Sequence, residues 1–273
     1  METDLDRRIR IGRQIVLDHV DYFAANLGRF PGDFKADKTR VTEADLRLSR
    51  DIVAALHAAF PEDDIVSEED LPAGGDRELA ARFCWALDPI DGTNNYARGL
   101  PQCAISLGLL ENGSPAYGFI HDNASGKMIQ GGPGRGLLDG DVAVPTPDAQ
   151  AAFDRNSLVS FHFPMKAPHF AVAADFLATN PVRCSGSCAL NLAYNALGRL
   201  DGSADHNTKV WDVAAACALL AAAGRRIVFL GEQPFPLRRF TETPARLVFV
   251  CGSEAFIARA LALYANAEKP KGG

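Results

Sequence analysis

The sequence predicts an α+β chain in which helices and sheets stack in alternating layers. Three observations carry this expectation. An amphipathic helical period fills the first residues. Short strand-like runs joined by Asn112-Gly113 and Ser125-Gly126 turns follow it, which reads as an antiparallel meander. The second half has an α/β texture, mixing Ala- and Leu-rich helices with isolated strands. With 273 residues, 47% of them hydrophobic and 23% charged, the chain can build one large domain or two smaller packed units and is too apolar for global disorder. Val144-Pro145-Thr146-Pro147-Asp148 is the best linker. It divides an α+β unit, 1–147, from an α/β unit, 148–273.

The elements follow in order. Leu5, Ile9, Val16, Val20, Phe23 and Leu27 recur at helical spacing, and Gly28 stops the helix. Phe30 to Arg40 is a charged loop containing Lys35 and Lys38. Thr42-Glu43-Ala44-Asp45 is a capping-box-like start for a helix through Leu48, Ile52, Val53 and Leu56, with Pro61 beyond its end. Ile65-Val66-Ser67 is a short strand running into Glu68-Glu69-Asp70, and Arg82 to Leu87 is a buried-looking strand running into Asp88. The meander strands are Ala104 to Leu110, Ala116 to His121 and Lys127 to Gln130. In the second half, Leu158 to Phe161, Ile227 to Leu230 and Leu247 to Cys251 read as strands. Ala189 to Leu197 is a helix stopped by Gly198. Asp212 opens an Ala-rich helix ending at Gly224, and Ser253 caps a final helix. The tail Lys269 to Gly273 reads as disordered.

Composition excludes several function classes. The net charge of -6 argues against a broad nucleic-acid footprint, while a phosphate substrate stays compatible because bound cations reverse the sign of an acidic pocket. No apolar run is long enough for a membrane span, and Met1 to Arg13 is too dense in charge for a signal peptide. The six cysteines form no CxxC pair and mostly sit in apolar runs. They read as reduced thiols in a cytoplasmic protein, not as a disulfide or zinc framework.

Two acidic clusters carry the chemistry. Asp88-Pro89-Ile90-Asp91-Gly92-Thr93 places two carboxylates and the Ile90 carbonyl where a strand gives way to a Gly-Thr turn. Hard cations accept such a mixed oxygen shell, and the amides of the following turn favour an anion. The same residues also make an ordinary Asp-Gly turn with Thr93 as an N-cap. Glu68 and Glu69 offer a strand-end ligand or base, or a solvated acidic loop. Asp212 is either a ligand or an acidic residue at a helix N-terminus, and Asp45 is either the partner of the Thr42 box or a group that polarises Thr93. The Gly131 to Gly136 run lacks dinucleotide and Walker spacing and reads as a hairpin loop; His19, His57, His121 and His169 show no ligand spacing. Cys184 and Cys188 are placed to face one another on a helix turn, with no activating neighbour.

Asp88-Pro89-Ile90-Asp91-Gly92-Thr93 together with Trp211-Asp212-Val213-Ala214 resembles the inositol monophosphatase family of Mg2+-dependent, Li+-sensitive phosphatases. The likeness extends to Val41 to Asp45, Ser67-Glu68-Glu69, Gly186 to Leu190 and Ala196 to Gly202. It implies an α-β-α-β-α sandwich and, by analogy, a homodimer. It also implies that Glu68, Asp88, Asp91, Asp212 and the Ile90 carbonyl hold two or three Mg2+ ions. Thr93, with Asp45 and Glu68, would activate the attacking water, and the amides of Gly92 and Thr93 would hold phosphate. Asp91, Gly186, Ser187, Cys188, Asp205 and Lys209 would face the alcohol part of a small phosphorylated polyol or sugar. Asn94-Asn95-Tyr96, Asp205, Lys209 and Cys188 depart from the usual residues, all on the alcohol side by that resemblance. The expected reaction is hydrolysis of an inositol-1-phosphate-like monoester by metal-activated water. Sister specificities (fructose 1,6-bisphosphate, histidinol phosphate, a nucleotide 3′-phosphate), a silent binding protein and a scaffold for nucleic-acid machinery are the alternatives.

Overall fold

A computed structural model describes residues 2–35, 39–72, 75–148 and 150–267. Lys38 and the tail 269–273 lie outside the described residues. Helix α1 (Asp4–Ala25) starts at a Thr3–Asp6 capping box and buries Ile15, Val16 and Phe23. A hairpin of β1 (Asp33–Phe34) and β2 (Arg40–Val41) leads into α2 (Glu43–Ala59), which buries Leu48, Ile52 and Leu56. Strands β3 (Asp64–Ser67), β4 (Arg77–Glu78) and β5 (Phe83–Asp91) follow, then the one-turn helix α3 (Thr93–Ala97). The meander is β6 (Ala104–Glu111), β7 (Ser114–Asp122), β8 (Lys127–Gly132), β9 (Gly136–Asp139) and β10 (Val142–Val144). It completes a seven-stranded sheet in the order β10-β9-β8-β7-β6-β5-β3, antiparallel except for β3 beside β5. The Gly131 to Gly136 run joins β8 to β9, as a hairpin loop should.

The second half contributes β11 (Val159–Phe161), α4 (His169–Leu177), β12 (Val182–Arg183), α5 (Cys188–Ala196), β13 (Gly202–Thr208), α6 (Val210–Ala222), β14 (Arg226–Phe229), β15 (Arg239–Phe240), β16 (Leu247–Gly252) and α7 (Glu254–Ala267). Its five-stranded sheet runs β12-β11-β13-β16-β14 and is mixed: β11 is parallel to β12 and β13, and the other pairs are antiparallel. Strand β15 crosses back to pair with β4 of the first half. Helices α1 and α2 cover one face of the large sheet, while α5 and α6 fill the space between the two sheets. Helices α4 and α7 cover the outer face of the small one, which gives the layers α-β-α-β-α.

Two features of this packing position the site. Strand β5 is buried along its whole length, with Trp85 and Leu87 facing α1 and α2 while Cys84 and Ala86 face α6. A strand covered on both faces takes a continuous apolar run, which is why Phe83 to Leu87 shows no alternation. Helix α6 is apolar all round because both sheets pack on it: Val213, Ala215, Ala216, Leu219 and Leu220 share a core with Ile120 and Ile129 of the large sheet and Phe249 and Cys251 of the small one. Three expectations are corrected. Helix α6 begins at Val210, so Asp212 is its third residue and not its opener. Helix α5 begins at Cys188, so exposed Cys184 shares no helix turn with it. Thr93 is not an N-cap, because Gly92 occupies that position without a side-chain bond. All six cysteines are free thiols, five of them buried.

Candidate active site

Asp88 and Asp91 are three residues apart, and a regular strand would point them to opposite faces. Between them β5 carries a bulge: Asp88 pairs with Ser106 and Asp91 with Ala104, so three steps on β5 oppose two on β6. The extra residue returns Asp91 to the face of Asp88, the face that looks at α6. Pro89 and Ile90 form the bulge, and the Ile90 N–H donates to Asp88 Oδ1 at 3.0 Å. The chain then reverses at Gly92, where φ is 89° and an added Cβ would lie 3.0 Å from the Gln102 carbonyl and 3.2 Å from that of Gly186. Only glycine fits this turn.

Parallel pairing sets Glu68 beside these groups. Ser67 is in register with Leu87, and the Glu68 N–H donates to the Leu87 carbonyl at 3.1 Å, so β3 and β5 release Glu68 and Asp88 at the same end of the sheet. Asp212 arrives from the opposite side on the first turn of α6, its Oδ2 accepting the Lys209 N–H at 2.7 Å. Glu68, Asp88 and Asp212 each bring one carboxylate oxygen to within 4.8 Å of the others. Burial, reinforced by Glu68 and Asp91, raises both the Asp88 and Asp212 carboxyls well above the usual range. Beside this cluster the Lys35 Nζ reaches Glu68 at 3.0 Å and also Glu69. Burial opposes the Lys35 charge, but the two glutamates outweigh it and raise its pKa.

Thr93 Oγ1 lies 3.1 Å from Asp45 Oδ1 and 2.9 Å from the Ile90 carbonyl. Asp45 makes the contacts of both alternatives that the sequence offered: Oδ2 closes the Thr42 capping box and Oδ1 accepts from Thr93. Burial pushes its pKa up to about 6. Asp91 turns to the N-terminus of α5, accepting from Ser187 Oγ, from the Cys188 N–H at 3.2 Å and from the Ala189 N–H at 2.9 Å. Burial raises its pKa to about 6 against these bonds.

A cavity of about 360 Å³ gathers Asp88, Asp91, Gly92, Thr93, Cys188 and Asp205, with the Ile90, Gly186, Glu68 and Asp212 positions also on its wall. Ser187 is the buried N-cap of α5 behind it. Lys209 instead lines an adjoining cavity that shares Glu68 and Asp212, and its Nζ donates to the Pro244 carbonyl. Sequence reasoning noted Asn95 only as a departure and gave it no role; its amide clamps the Gln102 and Ser185 carbonyls at 2.7 and 2.6 Å and so holds the Gly186 loop against α3. That reasoning missed His162, which stands 3.7 Å from Asp205. Both contacts join distant parts of the chain, and spacing carries no sign of them.

Comparison with known proteins shows what the whole chain is similar to. The family model for the inositol monophosphatase family matches residues 13–262. The chain is 32% identical over 207 residues to a putative Nus factor SuhB of Neisseria meningitidis, covering 74% of this chain and 77% of that one. It is 32% identical over 201 residues to a fructose-1,6-bisphosphatase/inositol-1-monophosphatase of Thermotoga maritima, covering 72% and 74%. The solved structure of an IMPase/NADP phosphatase complexed with Mg2+ and phosphate superposes with a TM-score of 0.81 at 19% identity, over 99% of this chain and 98% of that one.

Proposed function

The chain belongs to the inositol monophosphatase family, and on that premise we propose that it hydrolyses a small, inositol-1-phosphate-like phosphate monoester with Mg2+ as cofactor. The observation that carries the reading is the convergence of Glu68, Asp88 and Asp212 from three separate elements. Three converging carboxylates, Asp88 buried and Glu68 and Asp212 half-buried, repel one another, offer hard oxygen donors and gain most from a divalent cation. The Ile90 carbonyl and Asp91 would complete the shell for two or three ions: Oδ1 of Asp91 accepts the Cys188 N–H, one bond among the described residues, and has a further lone pair. When bound, Mg2+ lowers the pKa of a water and offsets charge on the departing oxygen.

The protein groups divide the remaining work. Thr93 has one hydroxyl proton and two acceptors. A proton committed to Asp45 leaves a Thr93 lone pair to accept from the attacking water, with Glu68 as the second group orienting it. Gly92 and Thr93 would bind phosphate through their amides at the left-handed turn. Gly186, Ser187, Cys188, Asp205 and Lys209 would bound the alcohol, with Asp91 joining the two regions. A homodimer, Li+ inhibition and cytoplasmic residence complete the reading by family analogy.

The test is phosphate release from inositol 1-phosphate with and without Mg2+, for the wild type and for Asp91→Asn and Asp212→Asn. Both variants should lose turnover; undiminished hydrolysis in Asp91→Asn would sink the assignment. The identity to a Nus factor favours a second reading, a non-catalytic role of that kind. Millimolar Mg2+ binding by calorimetry without turnover of any phosphate ester would support it.

A further inference from the structure

The cavity wall opposite the carboxylate cluster carries a second built feature. Asp205, 5% exposed, binds the His206 and Asn207 N–H groups through Oδ1 at 2.6 and 2.9 Å. Its Oδ2 lies 3.7 Å from His162 Nδ1. Burial raises the Asp205 carboxyl, and His162 is the largest influence against that rise. The His162 ring packs edge-on to His206 at 5.5 Å, and His206 stacks on His169 at 4.6 Å. His169 is itself anchored by Nδ1 to the Tyr264 hydroxyl at 3.1 Å. Burial holds both backing rings toward their neutral forms, His206 at about 4. His162 therefore lines the cavity on a fixed support, with Nδ1 turned to Asp205 and Nε2 on the opposite ring edge.

Resting on the phosphatase reading above, we propose that His162 is a specificity-determining residue whose Nε2–H receives a second anionic group, phosphate or carboxylate, on the alcohol part of the substrate. An uncovered Asp205 would repel such a group and favour neutral hydroxyls. With His162 beside it, the cavity presents an imidazole N–H as well as that carboxylate. Among the described residues the other basic side chain on this cavity is Arg40, which is fixed on Asn94 Oδ1 at 3.0 Å and on the Pro31 carbonyl. Asn94 adjoins Thr93, so Arg40 serves the end that takes the scissile phosphate. The far end depends on His162.

The experiment compares kcat/KM with Mg2+ for matched pairs: fructose 1,6-bisphosphate against fructose 1-phosphate, and 3-phosphoglycerate against glycerol 3-phosphate. The member with the second anionic group in at least one pair should be preferred about 10-fold or more, the size of one charge-assisted hydrogen bond. His162→Ala should erase that preference through KM while leaving the simple esters unchanged, and His162→Gln, which keeps an N–H, should restore part of it. Which pair responds identifies phosphate or carboxylate. No preference in the wild type, a preference that survives His162→Ala, or an equal loss on all four esters would overturn the inference and leave the phosphatase reading standing. Absence of turnover on any ester by the wild type would instead overturn that reading, and the inference with it.

Discussion

Thr93 shows at the scale of one residue how the site separates positioning from charge. Its hydroxyl stands between Asp45 and the Ile90 carbonyl, and neither contact reaches the Glu68–Asp88–Asp212 cluster directly. Thr93→Val keeps the branched shape and removes the hydroxyl. It should lower kcat about 100-fold or more, as loss of a positioned acid–base group does, with Mg2+ affinity nearly unchanged by calorimetry. Asp88→Asn should instead abolish Mg2+ binding, and in the metal-free protein it replaces a carboxyl that burial and acidic neighbours hold toward its protonated form. A Thr93→Val protein that loses Mg2+ affinity as well would show the division to be false. The identities of these residues were legible in the sequence; their orientation was less so. Asp91 looked like a partner of Asp88, and its carboxylate is also the acceptor that ties β5 to the first turn of α5. That acceptor role depends on a loop nearly a hundred residues away, which local spacing does not encode.

At the scale of elements, most helices and the apolar strands were readable, while α4 and the polar buried strands were not. The Thr42 box and the meander turns announce α2 and β6 to β8 because each rests on local chemistry. Strand β13 has the sequence Gly-Ser-Ala-Asp-His-Asn-Thr, which reads as a turn, yet it sits inside the second sheet. Its polar groups are satisfied by partners that only the fold supplies: Ser203 Oγ meets Ser160 Oγ and accepts from Asn195 Nδ2, both at 2.7 Å. Helix α6 depends on a different kind of contact, close approach to β7 at Gly118, where an added Cβ would stand 2.2 Å from the Ala215 carbonyl oxygen. Backbone cannot yield there as a flexible side chain would, so Gly118→Ala should cost about 1–3 kcal/mol of stability or more. Because α6 carries Asp212, the same variant should weaken Mg2+ binding in calorimetry. Unchanged Tm and unchanged affinity would show that α6 can shift without consequence.

Across the whole molecule the site and the core both bridge the division at residues 147 and 148. Glu68, Asp88 and Asp91 come from the first part and Asp212 from the second, and α5 and α6 fill the layer between both sheets. A single cooperative unfolding transition is therefore expected in place of two, and its midpoint should report on the acidic cluster. Burial raises Asp45 and Asp91 to about 6 and Glu69 to about 7, and raises Asp88 and Asp212 in the same direction. The folded metal-free protein thus holds protons that the unfolded chain releases. Their stabilising contribution is complete below the unfolded carboxyl values and is lost as pH rises through about 6 to 7. In chelator, Tm should fall from about pH 5 to about pH 8. Bound Mg2+ would replace those protons as counter-charge, so it should raise Tm more at the higher pH. A hundred-fold excess over Kd adds about 2.7 kcal/mol, which for a chain of this size is about 5 °C or more. Thermal unfolding followed with and without Mg2+ at both pH values decides the matter. A chelated Tm that climbs with pH, or a Mg2+ increment equal at both, would mean that the cluster is not the charge-loaded element of this fold.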